Sequence, residues 1–280
     1  ERTLKIELND TNRPDLWSTL GLARQLAAYL GRPVPSYPFF SRAGDEKPCG
    51  ERRVVVDPGR ADIRPFIVSF VAEGREVTDA LLREIIQSQE KLCDNFGRRR
   101  KAIAMGVSRA DLISWPVHYR AAYPDTTRFT PLDFDRPGSM REILAAHPKG
   151  REYGHIVQGF PRFPLLADAK GEVLTFPPVI NSALIGGVKP GDRRLFIDLT
   201  GPDLEILLTA GAITACDFAD MGFTVLPVRV EFPYDTPWGR AVTTPYFFQP
   251  DTTLAVADAE RRLGVRLDAA EAARHVARMG

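Results

Sequence analysis

The sequence holds 280 residues, 44% hydrophobic and 26% charged, with a formal net charge of +1. That composition excludes disordered and fibrous classes and is ample for one large domain or two modest ones. A near-neutral balance gives no global pull on a polyanion, so any nucleic-acid contact must rest on local patches. In chain order, Leu4, Ile6 and Leu8 alternate with polar residues as in a short strand, and Asn12-Arg13-Pro14-Asp15 starts a helix with proline near its first position. Leu16, Leu20, Ala23, Ala27 and Leu30 give that helix an apolar stripe, which Gly31 and Pro33 end. Residues 33–50 carry four prolines and two glycines and read as a linker.

From Arg52 the pattern is mixed. Strands are expected at 54–56 and 66–71, then a helix over 79–96 with Leu81, Leu82, Ile85, Ile86, Leu92, Cys93 and Phe96 inward, and a strand at 102–107. Ser139-Met140-Arg141-Glu142 fits a capping box for a short helix ending near His147. Residues 165–175 read as a hairpin turning at Asp168-Ala169-Lys170-Gly171, and 194–200 as a further strand. Pro202 then opens an apolar helix reaching Gly222, and a strand follows at 223–232. This irregular mixture predicts an α+β fold without the alternation of a doubly wound sheet. Beyond Pro233 the chain is proline-rich to Pro250, with a strand expected near 254–256 and short helices at 258–263 and 268–279. Three segments result: 1–50, 51–233 and 234–280.

Cys49, Cys93 and Cys216 are odd in number and form no CxxC pair, which fits a reducing, cytoplasmic setting, with Cys93 and Cys216 as small buried hydrophobes. No apolar stretch is long enough to span a bilayer, so no membrane partner is expected. The start, Glu1-Arg2-Thr3, resembles neither a signal nor a transit peptide, and the lack of an initiating Met suggests a piece of something longer. His118, His147, His155 and His275 are too scattered for a metal site, and no P-loop, HExxH, GxSxG or GxGxxG motif occurs. His155, inside Gly150-Arg151-Glu152-Tyr153-Gly154-His155, is the histidine to watch.

Three places carry chemistry. Residues 88–106, SQEKLCDNFGRRRKAIAMG, put Gln89 and Glu90 on a helix and four cations at its end. Capping a helix dipole explains one or two of them, so Arg98, Arg99 and Lys101 are candidate phosphate contacts. Gln89 falls in the apolar stripe and Glu90 on its border, so both need partners there. Two readings of Glu90 stand, an ion pair with Arg100 across the junction or a ligand contact, and they are compatible. Second, the FPPVIN segment at 176–181 is stiff, because Pro177 and Pro178 fix their own φ and restrain the residue before each. Its Asn181 either caps a turn or holds an amide at a defined place for a ligand. Third, Asp198 alternates with apolar neighbours at the end of a core strand, unlike Asp203, which reads as a helix cap.

These segments together resemble the tRNA-editing domain in the beta subunit of phenylalanyl-tRNA synthetase, of the archaeal and eukaryotic type. The resemblance covers nearly the whole chain and is specific at 87–106, 150–154 and 174–181. It implies a mixed-sheet editing domain over 51–233, preceded by a helical segment and followed by the incomplete start of another domain. It implies hydrolysis of the ester of mischarged Tyr-tRNA(Phe), with Asn181, Glu90 and Arg100 as catalytic residues and Asp198, Gln89 and Pro178 binding substrate. Members often carry an acid two residues after the asparagine, where this chain has Ala183. Without a Ser-His or Cys-His pair, a positioned water is the expected nucleophile. Partners implied are tRNA(Phe) and the alpha subunit. No cofactor is expected in this chain, ATP and Mg belonging to the parent enzyme, whose ligase site lies on the alpha subunit. Two rival readings are a catalytically dead tRNA-binding module and a piece that only scaffolds the alpha subunit.

Overall fold

The computed structural model describes residues 5–9, 12–33, 35–60, 63–249 and 253–279. In chain order the elements are helix α1 (Thr19–Tyr29), strands β1 (Arg53–Val56) and β2 (Phe66–Glu73), helix α2 (Asp79–Lys91), and strands β3 (Ala104–Arg109), β4 (Val117–Ala122), β5 (Arg128–Phe129) and β6 (Gly138–Ser139). Helices α3 (Met140–Ala146) and α4 (Pro148–Tyr153) precede strands β7 (Phe163–Ala167), β8 (Val173–Phe176), β9 (Ile180–Asn181) and β10 (Arg194–Gly201). Helix α5 (Leu204–Asp220), strands β11 (Thr224–Glu231) and β12 (Ala241–Thr244), and helices α6 (Val256–Leu263) and α7 (Ala269–Ala277) complete the chain.

One sheet of mixed direction dominates, in the order β3-β10-β2-β11-β1-β4-β7-β8-β9, with β12 also on β11. The mixture of strands and helices is that expected of an α+β chain. Strand β10 lies between β3 and β2, antiparallel to both, so its run of apolar residues is buried on both faces. Strand β11 pairs with β2 through Thr224–Pro227, then passes to β1 in parallel and β12 in antiparallel register. Helix α5 packs over β2, where Phe70 meets Phe218 edge-on at 5.7 Å and Gly211 lies against Val68. A second core gathers Phe129, Met140, Ile143, Phe163, Leu165 and Phe176 under α3, and the Phe163 and Phe176 rings stack at 5.6 Å.

Several local expectations hold in detail. Ser139 and Glu142 form the capping box of α3, Asp203 Oδ1 accepts the Ile206 N–H at 3.1 Å, and the hairpin turns at Asp168–Gly171. Others are corrected. Residues 254–256 form no strand, because Val256 begins α6. Ile6 and Leu8 are exposed and in no strand, and Leu4 lies outside the described residues. The helix over 79–96 changes at Leu92 into a five-residue π turn, whose wider loop ends at Gly97.

The chain forms two compact units, Phe39–Phe247 and Glu1–Pro38 with Phe248–Gly280. The larger unit reaches beyond 51–233 at both ends, for a physical reason. Ser41 is fully buried and bridges to Tyr246, its N–H donates to Pro245 O at 3.0 Å, and its carbonyl accepts the Phe247 N–H at 2.8 Å. In the smaller unit, Gln25 Nε2 donates to Arg278 O at 2.8 Å and Arg13 reaches Gln25 at 3.1 Å, so residues distant in sequence pack together. No helix among the described residues is long and apolar enough to cross a membrane.

Candidate active-site cleft

The register of β10 sets Asp198 opposite Gly106 of β3 and Ser69 of β2. Its neighbours Ile197 and Leu199 stand opposite Phe70 and Val68, the residues against α5, so strand alternation turns Asp198 to the other face. There it meets a cleft of about 240 Å³. Gln89, Arg100, Pro178, Asn181 and Asp198, drawn from three separate stretches of sequence, all line it.

Asp198 is 1% exposed, and its Oδ1 is buried without a hydrogen-bond partner among the described residues. Burial pushes its carboxyl up to about 7, against the pull of the Arg64 cation. Arg64 is itself buried, donating through Nε to Thr200 Oγ1 at 2.9 Å and through Nη1 to Lys101 O at 3.2 Å. The space around this unpartnered oxygen depends on Gly106, since a Cβ there would stand 2.5 Å from Asp198 Oδ1.

Arg100 closes another side. Its Nη1 donates to Pro178 O at 3.0 Å and to Val179 O at 3.2 Å, and its guanidinium sits 4.0 Å above the Tyr153 ring. It therefore clamps the FPPVIN segment, in which the Pro177–Pro178 peptide is cis. Asn181 Nδ2 donates to Val107 O at 3.1 Å, which assigns the amide's orientation and leaves Oδ1 as acceptor. Gln89 Nε2 donates to Met105 O, tying α2 to β3. Gln89 lies three residues after Ile86, which also lines the cleft, whereas Glu90 is turned about 100° further round the helix. Glu90 is exposed, does not line the cleft, and forms no ion pair with Arg100 among the described residues. Arg98, Arg99 and Lys101 are exposed on the turn that carries Arg100 and do not line the cleft. That turn is unusual, because Arg98, Arg99 and Arg100 have φ of 50°, 53° and 66°, three successive non-glycine residues in the left-handed region. Arg99 N–H to Asp94 O and Arg100 N–H to Cys93 O, each 3.0 Å, hold it.

No protein-family model matches the chain. It is 47% identical over 281 residues to the phenylalanine--tRNA ligase beta subunit of Treponema pallidum subsp. pallidum, covering 99% of this chain and 46% of that protein. To the same subunit of Borreliella burgdorferi it is 46% identical over 267 residues, covering 94% of this chain and 46% of that protein. Its fold matches the crystal structure of an N-terminal fragment of the phenylalanyl-tRNA synthetase beta-subunit from Pyrococcus horikoshii, with a TM-score of 0.84 and 34% identity. That match covers 97% of this chain and 75% of the other. The chain belongs to the phenylalanyl-tRNA synthetase beta-subunit family. It spans about half the length of the curated beta subunits it matches.

In this beta-subunit chain several residues at or beside the cleft receive no role of their own from sequence reasoning, although they fall inside the segments it singles out. Gly106 and Thr175 are small residues inside strands, with nothing local to distinguish them. Tyr153, which carries Arg100, sits in the Gly150–Gly154 motif, where His155 drew attention; His155 is exposed, with Nδ1 near Glu152 O. The signal lay in Gly150, whose Cβ would meet Ile143 O at 2.3 Å, so the glycine lets α4 pack tightly on α3. His147 is buried and holds the cleft's far wall: Nε2–H donates to Leu132 O and Nδ1 accepts the Lys149 N–H, both at 3.1 Å. No group of described residues has the arrangement of a metal site.

Proposed function

We propose that the cleft hydrolyses the ester of Tyr-tRNA(Phe), editing a tyrosine mistakenly joined to tRNA(Phe). The observation that carries this reading is the buried, unpartnered Oδ1 of Asp198 on a residue lining a cleft walled by Ile86, Met105, Val179 and Ile180. A pocket that merely accommodates phenylalanine rejects tyrosine poorly, whereas a site that hydrogen-bonds the hydroxyl can reject phenylalanine by ~10⁴ or more. Ionised Asp198 supplies such an acceptor. Asn181 Oδ1 accepts from a water held against the ester, and the guanidinium of Arg100 offers its remaining donors to the terminal ribose. Rate comes mainly from proximity and orientation, since Asn181 is rigidly held by Val107 and the proline segment.

The 34% identity to the Pyrococcus horikoshii fragment supports assignment to the archaeal and eukaryotic type. On this reading the chain works beside an alpha subunit, which carries the ATP- and Mg-dependent ligase site, and binds tRNA(Phe) partly through Arg98, Arg99 and Lys101. Its setting is cytoplasmic. The test is single-turnover deacylation of Tyr-tRNA(Phe) and Phe-tRNA(Phe) by the wild-type chain and by Asn181→Ala. The expected result is selective loss of tyrosine in wild type and at least a tenfold slower rate in a folded Asn181→Ala. Equal, background rates on both esters would favour a module that only binds or scaffolds.

A further inference from the structure

A second cavity, of about 520 Å³, opens beside α3 and is lined by Arg128, Phe134, Arg136, Glu142 and Ile143 among others. It shares a stretch of backbone with the cleft: Leu132 and Asp133 line the cleft, Phe134 and Arg136 the cavity. Asp133, at φ 63°, turns the chain between them. His147 braces both, bonding Leu132 O through Nε2 and packing its ring 4.9 Å from that of Phe134.

We propose that this cavity is a subsite for a nucleotide of the single-stranded RNA whose terminal ribose ester enters the cleft. The inference rests on reading the cleft as an esterase. Phe134 is half-buried and offers a ring on which a base can stack, a contact that tolerates any base. The charges around it are unequal. Glu142 accepts the Ser139 N–H at 2.7 Å and pairs with Arg128 at 3.1 Å, while Arg128 also donates to Pro137 O at 3.2 Å. Those two charges answer each other, the exposed Asp133 and Asp135 flank Phe134, and the exposed Arg136 on the cavity wall is the cation placed to meet a phosphate. Consecutive Cα atoms are about 3.8 Å apart, so a ligand lying along this wall passes from cavity to cleft within the reach of neighbouring nucleotides. A duplex does not fit this arrangement, since its bases cannot splay onto a side chain.

The experiment uses the whole chain and two variants, Phe134→Leu, which keeps bulk but removes the ring, and Arg136→Ala. Binding of a single-stranded RNA hexamer ending in CCA is followed by fluorescence anisotropy over a salt series, beside Tyr-tRNA(Phe) deacylation and a thermal melt. Phe134→Leu should weaken hexamer binding roughly tenfold at every salt concentration. Arg136→Ala should flatten the log-log salt slope by about 0.7, the value for one phosphate on a single strand, a change no packing defect produces. Both should raise KM more than they lower kcat, with melting unchanged. A wild-type chain that does not bind the hexamer, or variants that bind as wild type does, would overturn the subsite. If the variants lose RNA as expected while wild type leaves Tyr-tRNA(Phe) intact, the subsite stands and the esterase reading falls. Intact hydrolysis and KM in both variants would sink the subsite alone.

Discussion

With its pKa near 7, Asp198 divides between two protonation states around neutrality, and the carboxylate alone accepts the phenolic proton. The ratio of Tyr-tRNA(Phe) to Phe-tRNA(Phe) hydrolysis should therefore rise as pH increases through about 7, a comparison that cancels the hydroxide sensitivity of both esters. Asp198→Asn should flatten the ratio and cost the tyrosine reaction about 1.5 to 3 kcal/mol. Stability should run the opposite way. The folded pKa is raised above the usual 3.8, so the stabilisation is complete below that value and is lost as pH climbs through about 7. Urea titrations at pH 5 and 8 should show that fall in wild type and not in Asp198→Asn. Gly106→Ala tests the unpartnered oxygen from the other strand. Its Cβ would crowd Asp198 Oδ1, so activity on tyrosine should drop and stability should fall by about 1–3 kcal/mol. Asp198 was legible because an acid amid apolar neighbours breaks a strand pattern. Gly106 was not, since its meaning lies in what stands across the ladder.

At the scale of elements, the turn after α2 gives the charge run a backbone that sequence does not show. Capping a helix dipole accounts for one or two of the four cations, and the chain leaves the helix through a π turn and three left-handed arginines. Each such residue costs roughly 1–2 kcal/mol relative to the ordinary region, and glycine escapes that cost. Arg99→Gly should therefore raise stability, by up to about 1 kcal/mol in denaturant melts, while weakening tRNA binding and its salt dependence if Arg99 meets a phosphate. Stability gained together with unchanged tRNA affinity would make the arginines a solvated turn. The geometry was hidden from sequence because it depends on tertiary space: Gly97 has no room for a Cβ, which would stand 2.4 Å from Cys93 O and 2.5 Å from Ile103 O. The proline segment was legible by contrast, since its stiffness is intrinsic to its residues. Its anchor, Arg100 on two of its carbonyls, joins positions far apart in sequence.

For the whole molecule, the compact unit sets the boundaries. A fragment of residues 39–247 should melt cooperatively and keep hydrolysis, whereas 51–233 should melt about 5–10 °C lower or fail to fold. The shorter piece loses β12, and with it Thr244 Oγ1, which accepts the Ser69 N–H at 3.1 Å and donates to Ser69 O at 2.7 Å. Equal melting temperatures would return the boundary to 51–233. Composition marked the flanks as proline-rich linkers, and β12 is a four-residue strand within one of them, recognisable only by its partner. The order of the sheet carries a consequence for how the chain is made. Strands β2 and β3 emerge from the ribosome early, but they are joined only through β10 and never touch as neighbours. Arg194 follows Arg109 by 85 residues, so at about 5–20 residues per second both strands wait several seconds with open edges. The strand that ends the wait between β2 and β3 is the one bearing Asp198, so a nascent chain acquires the floor of its cleft in the event that first joins those two strands, while β2's other edge stays open until β11 arrives.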